Sequence, residues 1–79
     1  MRLNDEQNIA FMNDPRRIEA ERKAYAIRDH IKRIQISDKQ GLEIYIRLLP
    51  PLLRELEEAY QNLIVVEATV EAELLEKGA

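Results

Sequence analysis

The stretch "LLPPLLRELEE", residues 48–58, sets Pro50 beside Pro51 inside a run whose other residues all favour helix. Each proline lacks the N–H that an α-helix needs, and its ring crowds the carbonyl four residues back. Leu49 and Pro50 also each precede a proline, a position disfavoured in the helical region. Two such residues in tandem favour a break or a sharp bend over a kinked continuous helix, with Pro51 opening a new helix at its first position, where a missing N–H is harmless. On that reading a short apolar helix ends at the prolines and a long acidic helix runs from about Pro51 to Glu76.

Downstream of the pair, Leu52, Leu56, Ala59, Leu63, Val66 and Val70 recur at spacings of 4, 3, 4, 3 and 4, the pattern of a coiled-coil seam. Leu53, Tyr60, Ile64, Ala68 and Leu75 form a second apolar strip to one side. One partner helix cannot cover both strips. Burial by a second copy of the chain completes the arrangement, with Leu52, Leu56, Leu63, Val66 and Val70 as the expected oligomer interface.

Upstream, "LEIYIRLL" at 42–49 is apolar almost all round. Alternation would permit a strand, but a lone strand has nothing in this chain to pair with, so the segment is read as a short helix buried on two sides. "SDKQG" at 37–41 supplies a turn and a capping box, Ser37 with Gln40. Before it, "NDP" at 13–15 ends one helix and starts another: Asp14 is a cap and Pro15 the first helical residue. That helix should run from Pro15 to about Ile36 with Ala20, Ala24, Ile27, Ile31 and Ile34 as its core stripe. The pairs Glu19 with Lys23 and Asp29 with Arg33 stand four apart and support it from the solvated side. The N-terminal "NDEQNIAFM" reads as a short helix capped by Asn4, with Asp5 and Glu6 in its first turn, where acids suit the positive helix end.

The result is one all-α domain over residues 1–79, a small self-associating helical bundle. A core of this size, with one Phe and no Trp, seldom contributes more than about 3 to 5 kcal/mol. Absence of cysteine removes disulfides and thiolate metal sites as reinforcement, and oligomerisation is the common remaining device. No apolar run approaches the roughly 20 residues of a membrane span, and the N-terminus is too polar for a secretory signal. The expected setting is therefore cytoplasmic, with no membrane partner.

Charge is distributed unevenly. Residues 15–39 carry eight Lys or Arg against four acids, whereas residues 50–79 carry two bases against seven acids. Complementary basic and acidic helices set register within or between subunits. On the back of the basic helix, Ile18, Tyr25 and Ile36 fall at nearly one angle, with Arg22, Arg28 and Lys32 about them. An apolar anchor with a cationic rim has the anatomy of a protein contact. An aromatic ring among cations also suits a nucleotide or nucleic acid, although Glu21 and Asp29 weaken the field that a polyanion would feel.

Chemistry has few footholds here. The chain has no Cys, a single His30 and only Gly41 and Gly78 as glycines, so it offers no thiol nucleophile, phosphate-cradling loop or zinc spacing. Glu67 and Glu71 stand one turn apart without the accompanying Glu-x-x-His of a carboxylate metal site. No catalytic residue, metal site or cofactor is expected. The expectation is a non-enzymatic adaptor, inhibitor or regulator that binds another protein, with nucleotide or nucleic-acid capture on the Tyr25 face as the alternative. The helical pattern itself carries no family resemblance.

Overall fold

The computed structural model describes residues 3–34 and 39–78. They form three helices, α1 (Asp5–Met12), α2 (Pro15–Arg33) and α3 (Lys39–Gly78), and no strand occurs among the described residues. The all-α expectation holds, and both N-terminal caps lie where the sequence places them. The Asn4 side chain accepts from the Gln7 N–H at 2.8 Å while the Gln7 side chain accepts from the Asn4 N–H at 2.8 Å, a reciprocal capping box. Asp14 accepts from the Arg16 N–H at 2.9 Å, with Pro15 at the first position of α2. The described part of α2 ends at Arg33. Ile36 and Ser37, hence the expected end of that helix and the capping box before the next, lie outside the described residues.

The proline expectation is corrected. No break separates a short apolar helix from a long acidic one: α3 is a single helix of 40 residues that runs through Pro50 and Pro51. Two features let the prolines remain inside it. The carbonyls they leave without a helical donor belong to Ile46 and Arg47, both exposed residues, at a place on the surface where solvent can satisfy them. The helical stretch beyond the pair is also long enough to fold on its own packing, and the apolar turns before it extend an existing nucleus instead of starting one.

Helix α2 lies antiparallel on the C-terminal part of α3. Arg16, at the start of α2, bonds Glu73 near the end of α3, and Lys23 and Ile27 further along face Glu55, Glu58, Ala59 and Asn62. Between these points sits the core: Ala20 and Ala24 of α2 with Ala59, Leu63 and Val70 of α3. The alanines let the two backbones approach closely, so Ala24 is 0 % and Val70 1 % exposed. Ile27, Ile31 and Ile34 continue the expected stripe and are half-buried.

Length decides what stays uncovered. At about 1.5 Å per residue, α2 spans roughly 28 Å and α3 roughly 60 Å, and the molecule measures 59 × 18 × 17 Å. The N-terminal portion of α3 therefore projects past its partner. This corrects the expectation that 42–49 is buried on two sides: Leu42, Ile44, Ile46 and Leu48 are all exposed within one chain, Ile46 by 60 %.

At the opposite end, α1 is tied down by two polar devices. Arg17, 5 % exposed, donates to the carbonyls of Phe11 and Met12 at 3.1 and 3.0 Å, pairs with Glu21, and lies over the Phe11 ring. It thus places a positive charge on the last carbonyls of α1, the negative end of that helix. Gln7 adds a second tie by donating to the Leu74 carbonyl at 2.9 Å. Truncating Arg17 to Ala should cost about 2 kcal/mol, the value of charged hydrogen bonds lost from a buried site. Amide exchange in 5–12 should accelerate while exchange in 59–70 keeps its order, which a hydrogen-exchange map would read.

Candidate functional site

The outer face of α2 holds the candidate residues. Arg22, Tyr25, Asp29 and Arg33 follow one another at spacings of three and four, which stacks them along one side of a helix. With Ala26 they line an open groove of about 410 Å³. The expected face is thus assembled in part: Arg22 and Tyr25 share the groove, Arg28 borders it, and Lys32 is exposed outside its lining. Ile18 is exposed earlier on the same helix, and Ile36 lies outside the described residues.

Arg28 is already engaged. Its guanidinium carbon sits 4.4 Å from the centre of the Tyr25 ring, and its Nη2 lies 3.2 Å from Asp29 Oδ1. One face of the ring is therefore occupied by a cation whose charge is shared with a carboxylate. Tyr25 keeps 39 % exposure. What remains is a firm aromatic edge bordered by Arg22, Lys32 and Arg33, on a chain whose other long helix is acidic.

The five residues expected at an oligomer interface are placed differently from one another. Leu63 and Val70 are buried within the single chain in the α2–α3 core, and Leu52, Leu56 and Val66 are half-buried along the same side. The large apolar side chains that α3 leaves in solvent are Leu42, Ile44, Ile46, Leu48, Leu53, Ile64 and Val65. Within one chain, α2 is the helix that covers Leu63 and Val70 of the 4-3-4 seam.

Two arginines carry more of the structure than their place in a charge run suggests. Arg17 stands three before Ala20 on the core stripe, and that phase was the one available signal for its burial. Arg16 joins the helix ends, 3.0 Å from Asp14 and 2.6 Å from Glu73. Hydrogen bonds from Arg16 hold both carboxyls below their ordinary pKa values. A depressed carboxylate stabilises the fold above its unfolded pKa, and that contribution is lost as pH falls through the folded value. The melting temperature should accordingly decline from about pH 4.5 downwards, where unfolded carboxylates titrate. In Arg16→Gln that decline should become shallower, as melts between pH 6 and pH 3 would show: Glu73 loses its main partner, while Asp14 keeps the backbone N–H bonds of its cap. An equally steep decline in the variant would rule the network out as its source.

No group of three or more His, Cys, Asp or Glu among the described residues is placed to hold a metal ion. His30 is exposed on α2. No described helix is long and apolar enough to cross a membrane. No family model matches the chain, and no curated protein or solved structure matches it.

Proposed function

We propose that this is a non-enzymatic, self-associating helical protein that binds another protein and regulates or inhibits it. The observation that carries the reading is the outer face of α2. Ile18 and Tyr25 are exposed apolar anchors there, with Arg22, Arg28, Lys32 and Arg33 around them. A central aromatic with an arginine-rich border is the composition of residues that dominate protein contacts. A partner presenting an apolar pocket with an acidic rim fits it by charge.

The second reading, capture of a nucleotide or nucleic acid, uses the same residues. Two contacts weigh against it: Arg28 covers part of the ring on which a base would stack, and Asp29 lines the groove that a phosphate would enter.

The two readings separate cleanly by experiment. Immobilised wild type and Tyr25→Ala are compared for proteins retained from the source cell, and both are titrated with labelled single-stranded DNA, RNA and nucleotides at physiological salt. The proposal expects a retained protein that Tyr25→Ala and Arg22→Glu lose while helix content is unchanged, together with no nucleotide or nucleic-acid binding. A nucleic acid or nucleotide that binds wild type at micromolar concentration and is lost in Tyr25→Ala would replace this reading with the second.

A further inference from the structure

The uncovered side of α3 carries a pattern that reads the same in both directions. Leu53 is its centre. Ile46 and Tyr60 stand seven residues to either side, and Leu42 and Ile64 eleven to either side. At 100° per residue all five fall within about 40° of one another, so they form one strip that crosses the proline pair without a change of phase. Leu42, Ile46, Leu53 and Ile64 are exposed, Ile64 by 64 %, and Tyr60 is half-buried. The strip lies roughly a quarter turn from the seam that α2 covers.

A two-fold contact between identical chains is self-complementary: if residue i meets j, then j meets i. We infer that two copies of this chain pair antiparallel along this strip, with Leu53 meeting Leu53, Ile46 meeting Tyr60 and Leu42 meeting Ile64 of the other copy. This deepens the self-association in the proposed function by giving its surface and register.

Charge selects the direction. The N-terminal half of the strip is bordered by Lys39, Glu43 and Arg47, whereas the C-terminal half is bordered by Arg54 and Glu57 and continues into Glu67 and Glu71, leaving it the more acidic of the two. Parallel pairing in register would set each of these acids against its own copy, a repulsive arrangement. Antiparallel pairing lays the acidic half against the end that carries Lys39 and Arg47, and puts Lys39 opposite Glu67. Pairing also covers Leu42 and Ile46, which project beyond the described part of α2 and are exposed in the single chain.

Introduced cysteines test the register directly, because the chain has none of its own. Mild oxidation is applied to Leu53→Cys, to Leu42→Cys alone and to the double variant Leu42→Cys with Ile64→Cys, and mass is measured by sedimentation equilibrium at tens of micromolar. Expected are a dimeric wild type, covalent dimers for Leu53→Cys and for the double variant, and none above the collision background for Leu42→Cys alone. In the proposed pairing two Leu42 positions lie roughly 33 Å apart along the axis, beyond any disulfide. Positions 42 and 64 of a single chain are separated by the same length, so an internal disulfide does not compete. Leu53→Asp should weaken dimerisation about 100-fold or more, since it buries like charges at the two-fold, with helix content retained because Leu53 is exposed in the single chain. Efficient dimers of Leu42→Cys alone would establish a parallel pairing and overturn the register while leaving self-association standing. A monomeric wild type would overturn both, and the Tyr25 comparison would still decide partner binding independently.

Discussion

Replacing Pro50 and Pro51 together with alanine should raise stability by several kcal/mol. Proline inside a helix is about 3 kcal/mol less favourable than alanine, and the loss of proline's constraint on the unfolded chain returns roughly 0.4 to 1 kcal/mol of that per site. The gain should be uneven along the molecule. In wild type the hydrogen bonds that would join 50 to 46 and 51 to 47 are absent, so the turns at 42–49 are coupled to the rest of α3 mainly through side chains. Their amides should exchange faster than those at 59–70. The double variant should carry protection into 42–49 and raise the urea midpoint. If exchange at 42–49 is already as slow in wild type as at 59–70, the pair is not a weak point in the helix.

Leu63→Asp should have an effect of similar size and opposite sign. Leu63 sits in the narrow α2–α3 core with Ala59 and Val70, and an aspartate there combines a lost apolar contact with an unpaired buried charge, about 3 to 5 kcal/mol in all. A domain of this length holds only about 4 to 12 kcal/mol, so the variant should lose a large share of its stability, read as a much lower urea midpoint by circular dichroism. Val65→Asp is the control. Val65 is exposed by 63 % on neither apolar strip, and its substitution should shift stability by no more than about 0.5 kcal/mol. Equal losses at 63 and 65 would mean that α2 is not docked where the structure places it.

Most of the fold could be read from residues whose local physics points one way. Asn4, Asp14 and Pro15 mark helix starts through hydrogen bonds within their own turn, and the Ala20 to Ile34 stripe follows from a period. The prolines were misread for the converse reason. Their cost is local and visible, whereas what offsets it, the exposed position of residues Ile46 and Arg47 and a long packed helix beyond, is a property of the folded chain. The seam at 52–70 marks an apolar face, of which Ala59, Leu63 and Val70 are buried in the single chain, but spacing does not say whose helix covers it. Arg17 shows the same limit, since a basic residue in a basic run gives no sign that it caps the preceding helix from within. On the Tyr25 face, the sequence period puts Arg22 and Tyr25 on one side of α2, where both line the groove, and leaves Lys32 outside that lining. It could not show that Arg28 had already settled on the ring.

The molecule is long for its mass, and that changes how its size must be measured. A compact chain of 79 residues has a radius of gyration near 12 Å, whereas this one has 17.4 Å, the value of a globular protein of about 230 residues. On a gel-filtration column calibrated with globular standards, a single copy would elute ahead of its true mass. An early-eluting peak is therefore what the monomer itself produces, and only a method whose result is independent of shape can count the chains.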